Sequence, residues 1–146
     1  MGQSTNGILF YGINLGENGD EFTFDDEAEH YELDFETIYA AKHGLLEPEG
    51  DYDDLLTRPL FKAYWDKKSS LLKSCPCEID TYGSSDYPLY FVAVKAGKYL
   101  VHRGYTTEIP DGLTAKPEWK EQIKAYCELM GLPYSDPKWL LVSYWG

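Results

Sequence analysis

The apolar positions of this chain fall into short runs separated by turn-forming and charged stretches, and the period of each run predicts an element. Ile8 to Leu15 (ILFYGINL) carries β-formers on both faces and is followed by a Gly16–Gly19 turn, which predicts a first strand. Glu21 to Phe24 (EFTF) predicts a short strand pairing back on it as a hairpin. Asp25 to Glu32 reads as an acidic loop. Phe35, Ile38, Ala41 and Leu45 then share one helical face behind Asp34 as N-cap, with Gly44 near the end and Pro48 beyond it. A second helix opens at Pro59, carries Leu60, Tyr64, Leu71 and Leu72 as its apolar stripe, and ends before Pro76.

The second half of the chain is richer in strands. Cys77 to Tyr82 predicts a strand with Ile79 inward. Leu89 to Lys95 (LYFVAVK) is almost continuously apolar, as a strand buried on both faces should be. Ala96-Gly97-Lys98 has the composition of a turn, so Tyr99 to Tyr105 is expected to pair back as a hairpin. Trp119, Ile123, Tyr126, Cys127 and Met130 recur at helical spacing between Pro117 and Gly131, the strongest helix pattern in the sequence. Trp139 to Trp145 predicts a last strand, apolar enough to require pairing on the sheet. These elements amount to an α+β fold, with a mostly antiparallel sheet of about five strands and three helices packed on one face. The 146 residues fit a single domain, 1–146, that includes an acidic segment at 17–54.

Composition sharpens this reading. At 43% apolar and 16% aromatic residues the chain can build a packed core, which excludes a disordered protein. No apolar run is long enough for a membrane helix. The first residues lack the basic and apolar regions of a signal peptide, and the odd count of three cysteines points to reduced thiols. Charge is distributed unevenly. Residues 17–54 hold 15 Asp and Glu against one base, Lys42, whereas the rest of the chain holds 10 acids and 12 bases. The excess negative charge is therefore confined to one segment, net −14 against +2 for the rest, whose field repels nucleic acid and anionic membranes and attracts basic surfaces.

Several motifs invite chemistry, and most lose it on inspection. The Gly12–Gly19 stretch lacks the Gly-Lys-Ser/Thr or GxGxxG spacing of a phosphate loop. Asp51-Tyr52-Asp53-Asp54 lacks the central Gly and closing Glu of a calcium loop and reads as a solvated linker. Cys75-Pro76-Cys77 has one intervening residue and no second pair, so no zinc site is expected. His30, His43 and His102 are scattered, no nucleophile–base–orienter set is visible, and neither a catalytic residue nor a cofactor is assigned.

Two constellations remain. Asp20, Glu21, Asp25, Asp26, Glu27, Glu29, Tyr31, Glu32, Asp51, Asp53 and Asp54 form a candidate surface for a basic protein, since spaced carboxylates can imitate the phosphates of nucleic acid. Ser84, Ser85, Asp86 and Tyr87 precede the central strand, and His102 and Arg103 lie in the next. A hairpin would bring them together as a small-ligand site, with Arg103 and Lys95 or Lys98 available to a nucleotide's phosphates.

Five stretches resemble small uncharacterised proteins of phages and prophages. They are Glu36–Leu45, Phe61–Lys68, Ser84–Lys95, His102–Ile109 and Trp139–Gly146, together about a third of the chain. The resemblance implies expression in a host bacterial cytoplasm and brings no site residues with it. The expected function is thus an inhibitory binding protein of phage type, which blocks a host defence or nucleic-acid-binding protein through its acidic surface without itself contacting nucleic acid or membrane. A protein that binds or sequesters a nucleotide signal is the second reading, and a small hydrolase the third. The sequence sets no oligomeric state.

Overall fold

The computed structural model describes residues 5–16, 35–84, 88–110 and 112–145. The expected strand at Glu21–Phe24 and the acidic loop at 25–32 lie outside the described residues. The chain divides into two compact units, Met1–Phe24 with Pro76–Gly146, and Asp25–Cys75.

The described residues of the first unit form a sheet of four strands and one helix. Its elements are β1 (Thr5–Gly16), β2 (Cys77–Ser84), β3 (Pro88–Val101), the 14-residue helix α3 (Pro117–Met130) and β4 (Lys138–Trp145), α1 and α2 being the helices of the other unit. The order β1-β3-β2-β4 closes on itself as a barrel. Three pairings are antiparallel, and a short parallel contact of Gly83 and Ser84 with Tyr144 and Trp145 completes the ring. The general α+β class therefore holds, while among the described residues the sheet is mixed and has four strands, against the mostly antiparallel sheet of about five strands expected.

The missing strand is explained at Ala96-Gly97-Lys98. No hairpin forms there. β3 runs on through the segment and pairs with β1 on both sides of it, first Phe91 with Asn14 and Ala93 with Gly12, then Lys98 with Phe10 and Leu100 with Ile8. The register shift between these blocks is absorbed as a bulge. Gly97 serves a packing purpose there: a Cβ at this position would lie 2.9 Å from the Trp119 ring, so the missing side chain is what lets the α3 indole rest on the β3 backbone.

Closure gives the sheet two apolar faces. Ile8, Phe10, Phe91 and Ala93 form the barrel interior, with Tyr82, Leu140, Val142 and Tyr144 packed around them. The Phe10 and Phe91 rings stack at 4.0 Å between centroids. Alternation sends Val92 and Val94 to the opposite face, where they pair with Ile79 and Cys77. That side meets α3, whose Trp119, Ile123, Tyr126, Cys127 and Met130 are all buried, as their spacing predicts. Tyr11, Trp119 and Trp139 meet there edge to edge or tilted, 5.6 to 6.1 Å apart. Gly131 caps α3 in the left-handed region, as expected. β4 pairs with β1 over eight positions, so the apolar C-terminal segment is indeed held inside the sheet.

The second unit contains α1 (Phe35–Lys42) and α2 (Arg58–Ser74), which pack on each other. In both, the buried face differs from the expected one. α1 buries Tyr39 and Ala40, while Ala41 is exposed. α2 buries Phe61 and Tyr64, whereas Leu60 is exposed and Leu71 and Leu72 are half-buried. Lys68 links the helices by donating from Nζ to Thr37 Oγ1 at 2.8 Å.

Candidate functional site

Of the acidic candidates, Asp20, Glu21, Asp25, Asp26, Glu27, Glu29, Tyr31 and Glu32 lie outside the described residues. Asp51, Asp53 and Asp54 are described and all are exposed. Their loop is a built turn rather than a loose linker. Asp51 Oδ1 accepts from the Asp53 N–H at 3.0 Å, and Asp54 Oδ1 accepts from the Leu56 N–H at 2.9 Å. Thr57 Oγ1 donates to the Asp51 carbonyl. Arg58 reaches back over the loop, donating from Nε to the Tyr52 carbonyl at 3.3 Å with its guanidinium 5.3 Å from the Tyr52 ring centroid. Tyr52 in turn leans on Trp65 at 5.0 Å and on Phe61 at 6.1 Å. Three carboxylates are thus presented on a backbone fixed by its own turns, which lowers the ordering entropy that docking would otherwise cost.

Ser84, at the end of β2, is described, while Ser85, Asp86 and Tyr87 are not. His102 and Arg103 follow the end of β3 and are exposed. Because the expected hairpin does not form, it cannot join the two groups. The closing seam relates them instead. The Arg103 N–H donates to Asn6 Oδ1 at 3.4 Å, Asn6 lies opposite Tyr144, and Tyr144 lies beside Gly83. The carbonyl of His102 closes a turn by accepting from the Tyr105 N–H at 3.0 Å.

Sequence reasoning missed a cluster on β2 and β3. Glu78 and Asp80 lie opposite Ala93 and Phe91, so their side chains share the barrel-interior face. Lys98 Nζ lies 2.9 Å from Glu78 Oε1 and also bonds Asp80 Oδ2. On the same face the Tyr82 hydroxyl donates to Asn14 Oδ1 at 2.7 Å. Burial by itself would lower the Lys98 pKa, but the hydrogen bonds it donates to Asp80 and Glu78, with the charge of those carboxylates, outweigh it and hold the ammonium above the ordinary lysine value. Lys98 is therefore a fixed cation, unsuited to act as a nucleophile or base near neutral pH.

With its folded pKa raised, the stabilisation from Lys98 is fully present below about 10.5 and is lost as pH rises through the folded value. Lys98→Met should cost on the order of 1–2 kcal/mol at pH 7, a moderate figure because both carboxylates are partly solvated. It should also flatten the alkaline fall in stability relative to wild type. Urea unfolding of both proteins from pH 7 to 11.5 checks this, and parallel pH profiles would refute the assignment.

Cys75, Cys77 and Cys127 are all buried and outside any disulfide. Burial pushes the Cys127 thiol up to about 11, which keeps it protonated and unreactive. Among the described residues no group of three or more His, Cys, Asp or Glu is placed to hold a metal ion. No described helix is long and apolar enough to cross a membrane.

Comparison with known proteins returns no matching family model, no matching curated protein and no matching solved structure.

Proposed function

We propose that the protein acts by binding, using its acidic segment to occupy a basic surface on a host defence or nucleic-acid-binding protein. The observation that carries this reading is the confinement of excess charge to residues 17–54, 15 carboxylates against one lysine. The described end of that segment supports it, since Asp51, Asp53 and Asp54 stand exposed on a backbone ordered by local hydrogen bonds. Such a surface attracts a basic groove over a Debye length and competes with the phosphates that the groove normally holds. The phage setting is taken from the resemblance of the five stretches named above.

Capture from bacterial lysate by the tagged chain tests the proposal. A stoichiometric basic partner is expected at about 50 mM salt and should be lost at about 500 mM. Reversing Asp25, Asp26, Glu27 and Glu29 together to Lys should abolish capture. Unchanged capture by that variant would sink the reading.

The seam supports a second reading, in which Ser84, His102 and Arg103 hold a small anionic ligand such as a nucleotide signal. Arg103, fixed through Asn6 beside the closing strands, favours it. A thermal shift with a nucleotide panel separates the two, because the acidic-surface reading expects none.

A further inference from the structure

The start of α2 leaves a stripe of apolar side chains uncovered. Leu56 is 85% exposed and Leu60 56% exposed, and Ala63 is exposed as well. The Arg58 N–H donates to the Asp54 carbonyl at 2.9 Å and the Phe61 N–H to the Thr57 carbonyl at 3.2 Å, both in the i to i−4 sense. A hydrogen-bonded turn thus leads directly into α2, with Leu56 four residues before Leu60. Residues 60, 63 and 67 share one flank of the helix, beside the face that buries Phe61 and Tyr64, and Leu56 precedes them in the turn that leads into it. At a rise of about 1.5 Å per residue the stripe is about 16 Å long. Its two ends carry opposite charge. Asp51, Asp53 and Asp54 stand at the Leu56 end, outnumbering the Arg58 guanidinium folded over Tyr52, and exposed Lys67 closes the other.

A surface whose ends are opposite in charge and whose middle is apolar complements itself under a two-fold rotation. We propose that this stripe is the interface of a homodimer in which two α2 helices lie antiparallel, with the two-fold axis passing between Leu60 and Ala63. About that axis Leu56 faces the partner's Lys67. The alkyl stem of that lysine covers the leucine while its ammonium reaches Asp53 and Asp54. A parallel pair would set like charges together at both ends. A basic helix from another protein would suit the acidic end but meet repulsion at Lys67, so charge complementarity favours a second copy. Two leucines and an alanine per copy make a small interface, of the weak and transient class.

The dimer is measured on the full chain alone, so its failure and the failure of host-partner capture are separate outcomes. Sedimentation equilibrium from about 1 to 100 µM should show reversible dimerisation. Leu56→Glu, at a solvent-exposed position, should weaken it by at least about 10-fold. Lys67→Asp should weaken it comparably, and adding Asp53→Lys to the same chain should restore it, because Asp53 enters the turn through its main-chain N–H. A monomer at all concentrations, a dimer indifferent to Leu56→Glu, or a Lys67→Asp defect that Asp53→Lys fails to rescue would each overturn the proposal.

Discussion

Phe91→Ala is expected to cost about 3–5 kcal/mol, the largest loss of any single truncation in the barrel. Phe91 is fully buried, and three contacts converge on its ring. Phe10 stacks on it at 4.0 Å, Tyr82 tilts against it at 6.1 Å, and Lys98 Nζ lies 5.8 Å from its centroid. β1, β2 and β3 therefore all lose packing when the ring is removed, and a closed sheet can collapse onto the cavity only by distorting its pairing. For a chain of this size each kcal/mol lowers Tm by about 2–4 °C, so a fall on the order of 10 °C should appear in calorimetry. Leu141 supplies the contrast. It is also a large apolar residue on a strand, yet it is 75% exposed, and Leu141→Ala should stay within about 0.5 kcal/mol. Equal losses for the two variants would show that the barrel interior is not the core.

That contrast also marks how far the sequence could be read. Leu141 and Phe91 are indistinguishable as apolar residues in apolar strands, and only the partner across each strand separates them. Helix α3 was fully legible because every local signal agreed. Pro117 opens it, Gly131 ends it, and the five residues spaced between them are the five it buries. Helix α2 was legible in extent but not in face. Leu60, Phe61, Tyr64 and Trp65 make its first half apolar nearly all round, so periodicity alone could not choose Phe61 over Leu60 as the buried residue. In α1 only two turns are available to define a face, and tertiary packing decides it. At Ala96-Gly97-Lys98 local composition misled, since the glycine seats the Trp119 indole and turns nothing.

The candidate sites divide in the same way. Charge segregation is a property of composition and needed no structure. The ordering of Asp51 and Asp54 into side-chain-to-backbone turns follows from the local behaviour of aspartate and was open to sequence reasoning, though a solvated linker was expected. The Lys98–Glu78–Asp80 cluster was not open to it. It joins residues 18 and 20 positions apart, and its existence depends on the bulge that lets β3 continue past Gly97. The alternation of Glu78, Asp80 and Tyr82 against Cys77 and Ile79 was visible, but with a single buried face assumed, the acids fell on the solvent side.

The bulge rests on a second glycine, and there the expected effect is nearly as large as at Phe91. A Cβ at Gly12 would lie 1.8 Å from the Val92 carbonyl oxygen, 2.9 Å from its carbon and 3.0 Å from Ala93 Cα. Every one of these is a backbone atom, so no rotamer change can relieve the overlap. Gly12 stands where β1 passes from one pairing block with β3 to the next, opposite Ala93 on one side and Lys138 on the other. Making room for a methyl group there means parting strands that β4 holds from behind. Gly12→Ala should therefore cost about 3 kcal/mol. Gly104→Ala is the control in the same unit: its φ of +83° strains a side chain, but nothing lies within 4 Å, so about 1 kcal/mol is expected. The register set at Gly12 is also what carries Lys98 to Glu78 and Asp80. Gly12→Ala and Lys98→Met should consequently be non-additive, the double variant losing less than the two single losses together. Urea unfolding of the four-member cycle reads this coupling. Strict additivity, or a Gly12→Ala loss no greater than that of Gly104→Ala, would show that the close approach of β1 and β3 does not position the ion cluster.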